Sequence, residues 1–380
     1  MLNITISGKE LNNIINKVVC ILDKKSPISF SRNIMLQCQD GKVAASAIRR
    51  SVGGYNFLKV DATSTFTDMS DGKILLDEKA WKLLSKMNGE VKITMKKNDI
   101  VVNNGTKTIK FKNSIEDFPD YPEFPDESSN GDKKFEFAAQ MTERDFYEII
   151  TNMSSFAKVD TYSLDVHPKP YEYINFNMKD RRIESTDGAR LAIKYLQINN
   201  EEESQNFMLH KSVSDNLKKV LDKKSDLPIA VEVNKEYCRV SGNDFTYYEL
   251  RLPVEYYKTD VFLNVPEIAK FRISTKDFLT CVKYYADNVI EKKDKKPLIL
   301  NIEQDKIVTY AVNSSFSVND EIAIHGFTGK GVEYGFNSYY LLDALKLCNS
   351  DVLECKIAEN CIILTSKDYL FMVLMVYIGK

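Results

Sequence analysis

The sequence predicts an α+β protein of three tandem domains, each carrying two helices on an antiparallel sheet. Three observations predict it. A strand–turn–strand pattern recurs three times at domain-sized spacing, an amphipathic helix lies on either side of each copy, and 380 residues exceed what one core usually holds, at roughly 100–200 residues per domain.

The three hairpins are Ile34 to Val43, Ile174 to Ile183 and Leu298 to Ile307, each an alternating apolar strand, a polar turn centred on Asp with a basic residue, and a second strand. Their turn residues Asp40, Asp180 and Asp305 stand 140 and 125 residues apart. Before the first hairpin, Leu11, Ile14, Ile15, Val18, Val19 and Leu22 recur at helical spacing. The equivalent helices of the other copies begin at capping-box variants: Thr142 with Asp145 ahead of Phe146, Ile149, Ile150 and Met153, and Ser274 with Asp277 ahead of Phe278, Leu279, Val282 and Ala286.

After each hairpin comes a second helix, with stripes Ala80, Leu83, Leu84, Met87; Val213, Leu217, Val220, Leu221; and Leu341, Ala344, Leu345, Cys348. Two further strands and a closing turn complete each copy, at Val102 to Gly105, Val240 to Asn243 and Leu364 to Lys367. Linkers fall between copies. The prolines Pro119, Pro122 and Pro125 with the polar run Asp126 to Asp132 separate the first two, and Tyr256 to Lys270 with Pro266 separates the last two. The expected domains are 1–126, 127–257 and 268–380.

Composition narrows the function. With 43% hydrophobic and 28% charged residues the chain should fold throughout, and a net charge of −2 excludes a general polycation. The cysteines Cys20, Cys38, Cys238, Cys281, Cys348, Cys355 and Cys361 are scattered, without C-x-x-C spacing, and His167, His210 and His325 stand alone, so neither disulfide, metal nor cofactor is expected. The start, Met1-Leu2-Asn3-Ile4, has no basic stretch followed by an apolar run, and no window reaches the length of a membrane span, so a cytoplasmic, nucleoid-associated protein without membrane contact is expected.

Lysine recurs opposite the apolar stripe of all six predicted helices: Lys9 and Lys17; Lys79, Lys82 and Lys86; Arg144 with Lys158; Lys211, Lys218 and Lys219; Lys276 and Lys283; Lys346. A solvated polar face explains any one of these. Recurrence in a net acidic protein points to one basic surface. Duplex DNA is roughly 20 Å across, and a hydrated hole around it about 35 Å wide has a circumference near 110 Å. A pair of helices about 10 Å apart lines roughly 20 Å of it, so five or six such domains are needed. One chain supplies three, and a head-to-tail pair of chains closes a ring.

Three runs complete the pattern: Ser185-Thr186-Asp187-Gly188-Ala189-Arg190-Leu191-Ala192, Tyr334-Gly335-Phe336-Asn337-Ser338-Tyr339-Tyr340-Leu341-Leu342-Asp343-Ala344-Leu345, and Glu116-Asp117-Phe118-Pro119. With the repeat layout they resemble the beta subunit of bacterial DNA polymerase III, the beta sliding clamp family, along essentially the whole chain. The resemblance implies DNA-clamp-type domains assembling into a homodimeric ring, without catalysis, that encircles double-stranded DNA regardless of sequence. It further implies loading by a clamp loader and tethering of the replicative polymerase and other proteins bearing clamp-binding peptide motifs.

By position the implied peptide cleft includes Thr186, Gly188, Arg190, Leu191, Pro253, Asn337, Tyr340, Met372, Val373 and Leu374, with Arg190 expected to orient a peptide by hydrogen bonds. Lys24, Lys25, Lys158 and Lys211 lie near positions where the family touches DNA; Lys82, Lys86, Lys218, Lys219 and Lys283 share the basic face. Lys79, Leu83 and Met87 are expected at the contact between subunits, with a core role open for the last two. The chain departs from the family in Ala189, where His is usual, and in its ending Met372-Val373-Leu374-Met375-Val376 in place of Met-Pro-Met-Arg-Leu.

Two other functions fit less well. An enzyme using Ser185, Asp187 or Arg190 lacks an identifiable base, a phosphate-binding loop or a metal cluster. A clamp-fold module that sequesters clamp-binding peptides as a decoy, without encircling DNA, would share the fold.

Overall fold

A computed structural model describes residues 2–24, 26, 28–51, 53–63, 70–113, 121–125, 134–159, 169–197, 204–290, 296–312 and 317–376. The run Glu116 to Pro119, Lys25 and the polar stretch 126–132 lie outside them.

One order of elements occurs three times. The first copy is β1 (Asn3–Ser7), α1 (Gly8–Val19), β2 (Ile34–Gln39), β3 (Lys42–Ser51), β4 (Gly54–Asp61), β5 (Gly72–Leu76), α2 (Glu78–Leu84), β6 (Glu90–Lys96), β7 (Asp99–Asn103) and β8 (Thr108–Lys112). The second is β9 (Glu136–Thr142), α3 (Glu143–Ser154), β10 (Tyr173–Asn177), β11 (Arg182–Thr186), β12 (Arg190–Tyr195), β13 (Phe207–His210), α4 (Lys211–Val220), β14 (Pro228–Val233), β15 (Tyr237–Ser241) and β16 (Phe245–Leu250). A short helix, α5 (Asp260–Leu263), precedes the third. That copy is β17 (Ala269–Ser274), α6 (Thr275–Asn288), β18 (Leu298–Ile302), β19 (Lys306–Val312), β20 (Ser317–Gly329), β21 (Val332–Phe336), α7 (Ser338–Leu345), β22 (Val352–Ile357), β23 (Cys361–Thr365) and β24 (Tyr369–Val376).

Local chemistry explains the boundaries. Ser7 caps α1 by accepting from the Glu10 N–H (3.2 Å), Thr142 Oγ1 accepts from Asp145 N (3.1 Å) at the start of α3, and Ser274 accepts from Asp277 N (3.3 Å) at α6. Leu11, Ile14, Ile15 and Val18 form the buried stripe of α1. The expected stripe ran longer; Leu22 is buried but lies past the helix end. In the β2–β3 turn Asp40 and Gly41 both take positive φ (49° and 72°), as a two-residue hairpin turn demands. Gly8 is required by packing, because a Cβ there would lie 2.3 Å from the Met87 carbonyl oxygen.

The stripe of α2 needs correction. Ala80, Trp81 and Leu84 are its buried residues, whereas Leu83 is 51% exposed. At 100° per residue Trp81 draws the apolar face round and leaves Leu83 off it. Met87, expected at a surface contact, is 3% exposed; the helix has ended at Leu84, and the following turn carries Met87 inward.

The chain divides into two compact units: Met1–Ile150 with Glu203–Pro253, and Thr151–Glu202 with Val254–Lys380. In the first, one sheet runs β5-β2-β3-β4-β16-β15-β14-β9 and another β1-β6-β7-β8. In the second, strands run β10-β11-β12-β24-β21-β18-β19-β20-β17-β22-β23, with β23 also paired to β24. Each unit therefore contains one seam where strands of successive copies pair antiparallel. At the first, β4 meets β16 (Val60 opposite Phe245, Phe57 opposite Tyr248); at the second, β12 meets β24 (Arg190 opposite Val373, Lys194 opposite Tyr369).

All seven cysteines are free. Burial pushes every thiol above its ordinary range, to about 12 at Cys20 and Cys348 and about 11 at Cys281. Among the described residues no cluster of three potential metal ligands occurs, and no helix is long and apolar enough to cross a membrane.

Candidate functional site

The turn between β11 and β12 is built by its own side chains. Thr186 Oγ1 donates to the Arg190 carbonyl (2.6 Å) and accepts from Gly188 N (3.1 Å). Asp187 Oδ1 accepts from Ala189 N and Arg190 N (3.0 and 3.1 Å), and Gly188 supplies the left-handed residue at φ +87°.

This scaffold aims Arg190 inward. Its Nε donates to Asp187 (3.0 Å), one terminal nitrogen to Asp343 on α7 (2.6 Å) and the other to the Ser155 carbonyl (2.8 Å). The guanidinium lies 4.7 Å from the Phe156 ring centroid and 4.4 Å from that of Tyr340. With 7% exposure, Arg190 is a buried fastener rather than an open peptide anchor. Asn337 likewise serves the fold, capping α7 by accepting from Tyr339 N and Tyr340 N (3.0 and 3.3 Å). Sequence reasoning passed over Phe156, Ser155 and Asp343; the last could have been found, since it lies one helical turn after Tyr340.

Next to the fastener lies an apolar strip. Leu191 and Ile193 of β12, Met372 of β24, Ile363 and Cys361 of β23 and Ala358 form one cluster, with Leu263, Val265, Leu370 and Leu374 packed against it and partly exposed. Strand alternation divides the expected C-terminal trio. Met372 and Leu374 share this face with Leu370, whereas Val373 points to the opposite side and is fully buried. Alternation alone would have added Leu370. Such a strip can hold aliphatic side chains of an extended segment, each fully buried Leu contributing about 1.5–3 kcal/mol. Pro253 is exposed, after β16 in the first unit.

In the first unit α1 and α4 line one open concavity, with Lys9 and Lys17 from α1, Lys218 and Lys219 from α4, and Lys223 beyond it, alongside Glu10 and Asp222. Lys17 pairs with Asp244 and Lys218 with Asp215, both at 2.6 Å, so part of this charge is already met. Lys211 is half-buried at the start of α4, and Lys24, Lys79, Lys86, Lys219 and Lys283 are exposed. Lys82 pairs with Glu78 (2.5 Å) and lies over Trp81; Lys158 lies 6.0 Å from the Tyr171 ring centroid.

The residues weighed for catalysis are placed as follows. Ser185 Oγ is buried with no hydrogen-bond partner, and Asp187 is engaged by the turn and Arg190. Among the described residues the carboxyl raised furthest is that of Glu249 on β16, pushed up to about 8 by burial, and its Oε1 accepts from the N–H of His210 at the start of α4 (2.9 Å). It is buried in the first unit.

No family model matches the sequence. The beta sliding clamp of Staphylococcus epidermidis is 27% identical over 194 residues, a match spanning 48% of this chain and 48% of that protein, so the chain spans about half the length of the curated relatives it matches. Among solved structures, a putative DNA polymerase III beta subunit from Eubacterium rectale superposes with a TM-score of 0.84 at 17% identity over 99% of both chains. The sliding clamp from Bacillus subtilis gives 0.83 at 15% and the beta subunit from Thermotoga maritima 0.79 at 17%, each over the full length of both. The threefold order of elements and these likenesses agree: the chain has the fold of the bacterial DNA polymerase III beta subunits, and about half of its sequence is similar to that of a beta sliding clamp.

Proposed function

We propose that this protein is a sliding clamp: a non-catalytic processivity factor that encircles double-stranded DNA as a head-to-tail homodimer of three clamp domains per chain, 1–126, 127–257 and 268–380. It is loaded by a clamp loader and tethers the replicative polymerase through the strip around Leu191, Met372 and Leu374. The observation that carries the reading is a pattern left open at both ends. In copy order β4 pairs with β16 and β12 with β24, which leaves β20 and β8 as the corresponding strands. Among the described residues β8 pairs only with β7, and Ser317 to Ile322 of β20 pair only with β19. A second copy can join them by the same antiparallel seam, and two such joints close a ring.

Two features support the ring's uses. Exposed Leu83 and Lys79 on α2 belong to the same copy as β8 and fit a contact between subunits. Lysines on the concave face of α1 and α4 suit sequence-independent attraction to phosphates, falling steeply with salt.

Light scattering at micromolar protein should give twice the chain mass of 43.6 kDa, and Leu83→Ser should shift the population toward monomer. Replacing Lys211, Lys218 and Lys219 together by Glu should shorten retention on circular DNA without altering the melting temperature. A protein that binds clamp-motif peptides yet stays strictly monomeric would instead be the peptide-sequestering decoy.

A further inference from the structure

Residues 90–112, which form β6, β7 and β8, hold six lysines against two acids, Glu90 and Asp99, in a chain whose net charge is −2. All six lysines are exposed. Strand register sorts them into rows. Lys96 lies opposite Asp99 and Asp99 opposite Lys112; in the next row Thr94 lies opposite Val101 and Val101 opposite Lys110; in the third Lys92 lies opposite Asn103 and Asn103 opposite Thr108. Alternation sends Ile109 and Phe111 to the other side of the sheet, and Glu90 lies beyond the last row. These three rows form one polar face with four lysines and a single carboxylate, Asp99, which Lys112 meets at 3.2 Å. Among the described residues no carboxylate pairs with Lys92, Lys96 or Lys110.

The same positions are filled differently in the other copies. Counted from the hairpin turn, Thr108, Lys110 and Lys112 of β8 correspond to Thr246, Tyr248 and Leu250 of β16 and to Leu370, Met372 and Leu374 of β24. In the third copy these places carry the apolar strip, and in the second Tyr248 belongs to the aromatic layer. The first copy therefore has charge where its sisters have apolar surface. Like charges close together on one face weaken a sheet, so the pattern does not serve the fold.

We propose that this face docks an acidic, extended segment of a partner protein, whose carboxylates meet Lys92, Lys96 and Lys110. Side chains two apart on a strand stand about 6.8 Å apart, so Lys110 and Lys112 match the repeat of an extended segment with an acid at every second residue. A shallow concavity lined by Thr94, Lys96, Lys110 and Lys112 gives such a segment a seat. Asp99 selects peptide over nucleic acid. A phosphate backbone is charged at every unit and must bring a charge beside Asp99, whereas a peptide can place a neutral or basic residue there. Nor do the three rows hold a ring on which bases could stack. Pairing of β8 with a second copy uses its backbone edge and leaves these side chains on the face.

The probe is a short fluorescein-labelled peptide in which glutamate alternates with threonine, read by anisotropy at low salt. It should bind the native protein, and more tightly than a peptide with the same glutamates gathered in one block. Lys96→Gln/Lys110→Gln changes only exposed side chains, should melt like the native protein and should bind the alternating peptide about fivefold more weakly. Lys96→Arg/Lys110→Arg, which keeps both charges, should bind it as the native protein does. Absence of binding, equal affinity for the block peptide, or an affinity that survives the glutamine substitutions overturns the proposal. An oligothymidine of equal charge that binds more tightly than the peptide and is lost in the glutamine variant assigns the face to nucleic acid, and a fall in that variant's solution mass assigns it to a second copy; either result overturns the proposal as well. None of these results bears on the apolar strip of the third copy, which a glutamine-and-leucine peptide probes separately.

Discussion

At the first seam Phe57 and Tyr248 lie under a layer of aromatic rings, with Phe124 5.0 Å from Phe57 and Tyr121 5.8 Å from Phe30 between centroids. At the second, the same antiparallel joint carries Leu191, Ile193, Leu370, Met372 and Leu374, and its connector contributes only aliphatic Leu263 and Val265. Both joints fasten one copy to the next, but the first is covered by rigid rings from its own chain. The strip at the second is aliphatic and partly exposed, and the unbranched Met372 there can adapt to what covers it. A repeated joint is thus covered or left partly open according to the residues its connector supplies.

The sharpest way to break this contrast is Phe57→Ala. Removing a 2% exposed ring from the covered seam should cost about 3–5 kcal/mol in chemical denaturation, while peptide affinity at the other seam stays unchanged wherever the protein remains folded. A loss below about 1 kcal/mol would show that the aromatic layer is decoration.

Arg190→Ala probes the partly open seam and should cost about 3 kcal/mol, because Asp187 and Asp343 lose their partner and two rings lose the cation between them. Arg190→Lys should recover less than half, since an ammonium cannot serve three acceptors in one plane. A full rescue by Lys, read by thermal melting, would mean that charge alone matters there.

A graded effect probes the first unit by pH. Burial raises the Glu249 carboxyl to about 8, above its value in the unfolded chain, so the folded state holds a proton that the unfolded state releases. Stability from this group is full below the ordinary carboxylate range and is lost as pH climbs to about 8, at up to about 1.4 kcal/mol per pH unit. The melting temperature should therefore fall between pH 5 and 9, and Glu249→Gln should flatten the slope. An unchanged slope in that variant would place the proton elsewhere.

Much of this was legible in the chain. The hairpins around Asp40, Asp180 and Asp305 and the capping residues Thr142 and Ser274 occur where short-range rules put them, because turn chemistry and N-caps are decided by neighbours in sequence. The two seams were not legible. Which strand edge meets which is set by packing between copies, and nothing in Gly54 to Asp61 announces Phe245 to Leu250 as its partner. For the same reason Arg190 read as an anchor for ligands. Its three acceptors come from Asp187, Ser155 and Asp343; spacing suggests Asp187, and Asp343 only by way of Tyr340, but not Ser155. Leu83 erred in the other direction, since its place in an apolar stripe looked sound until Trp81 turned the helix face.

The seven sequestered thiols make the chain quiet toward sulfur chemistry. Maleimides and disulfides react through thiolate, and burial holds each native cysteine protonated at neutral pH. A cysteine introduced by Leu83→Cys would be the fast-reacting group in an otherwise unmodified protein, a ready point for a dye reporting when two chains meet or for a crosslink that locks them together.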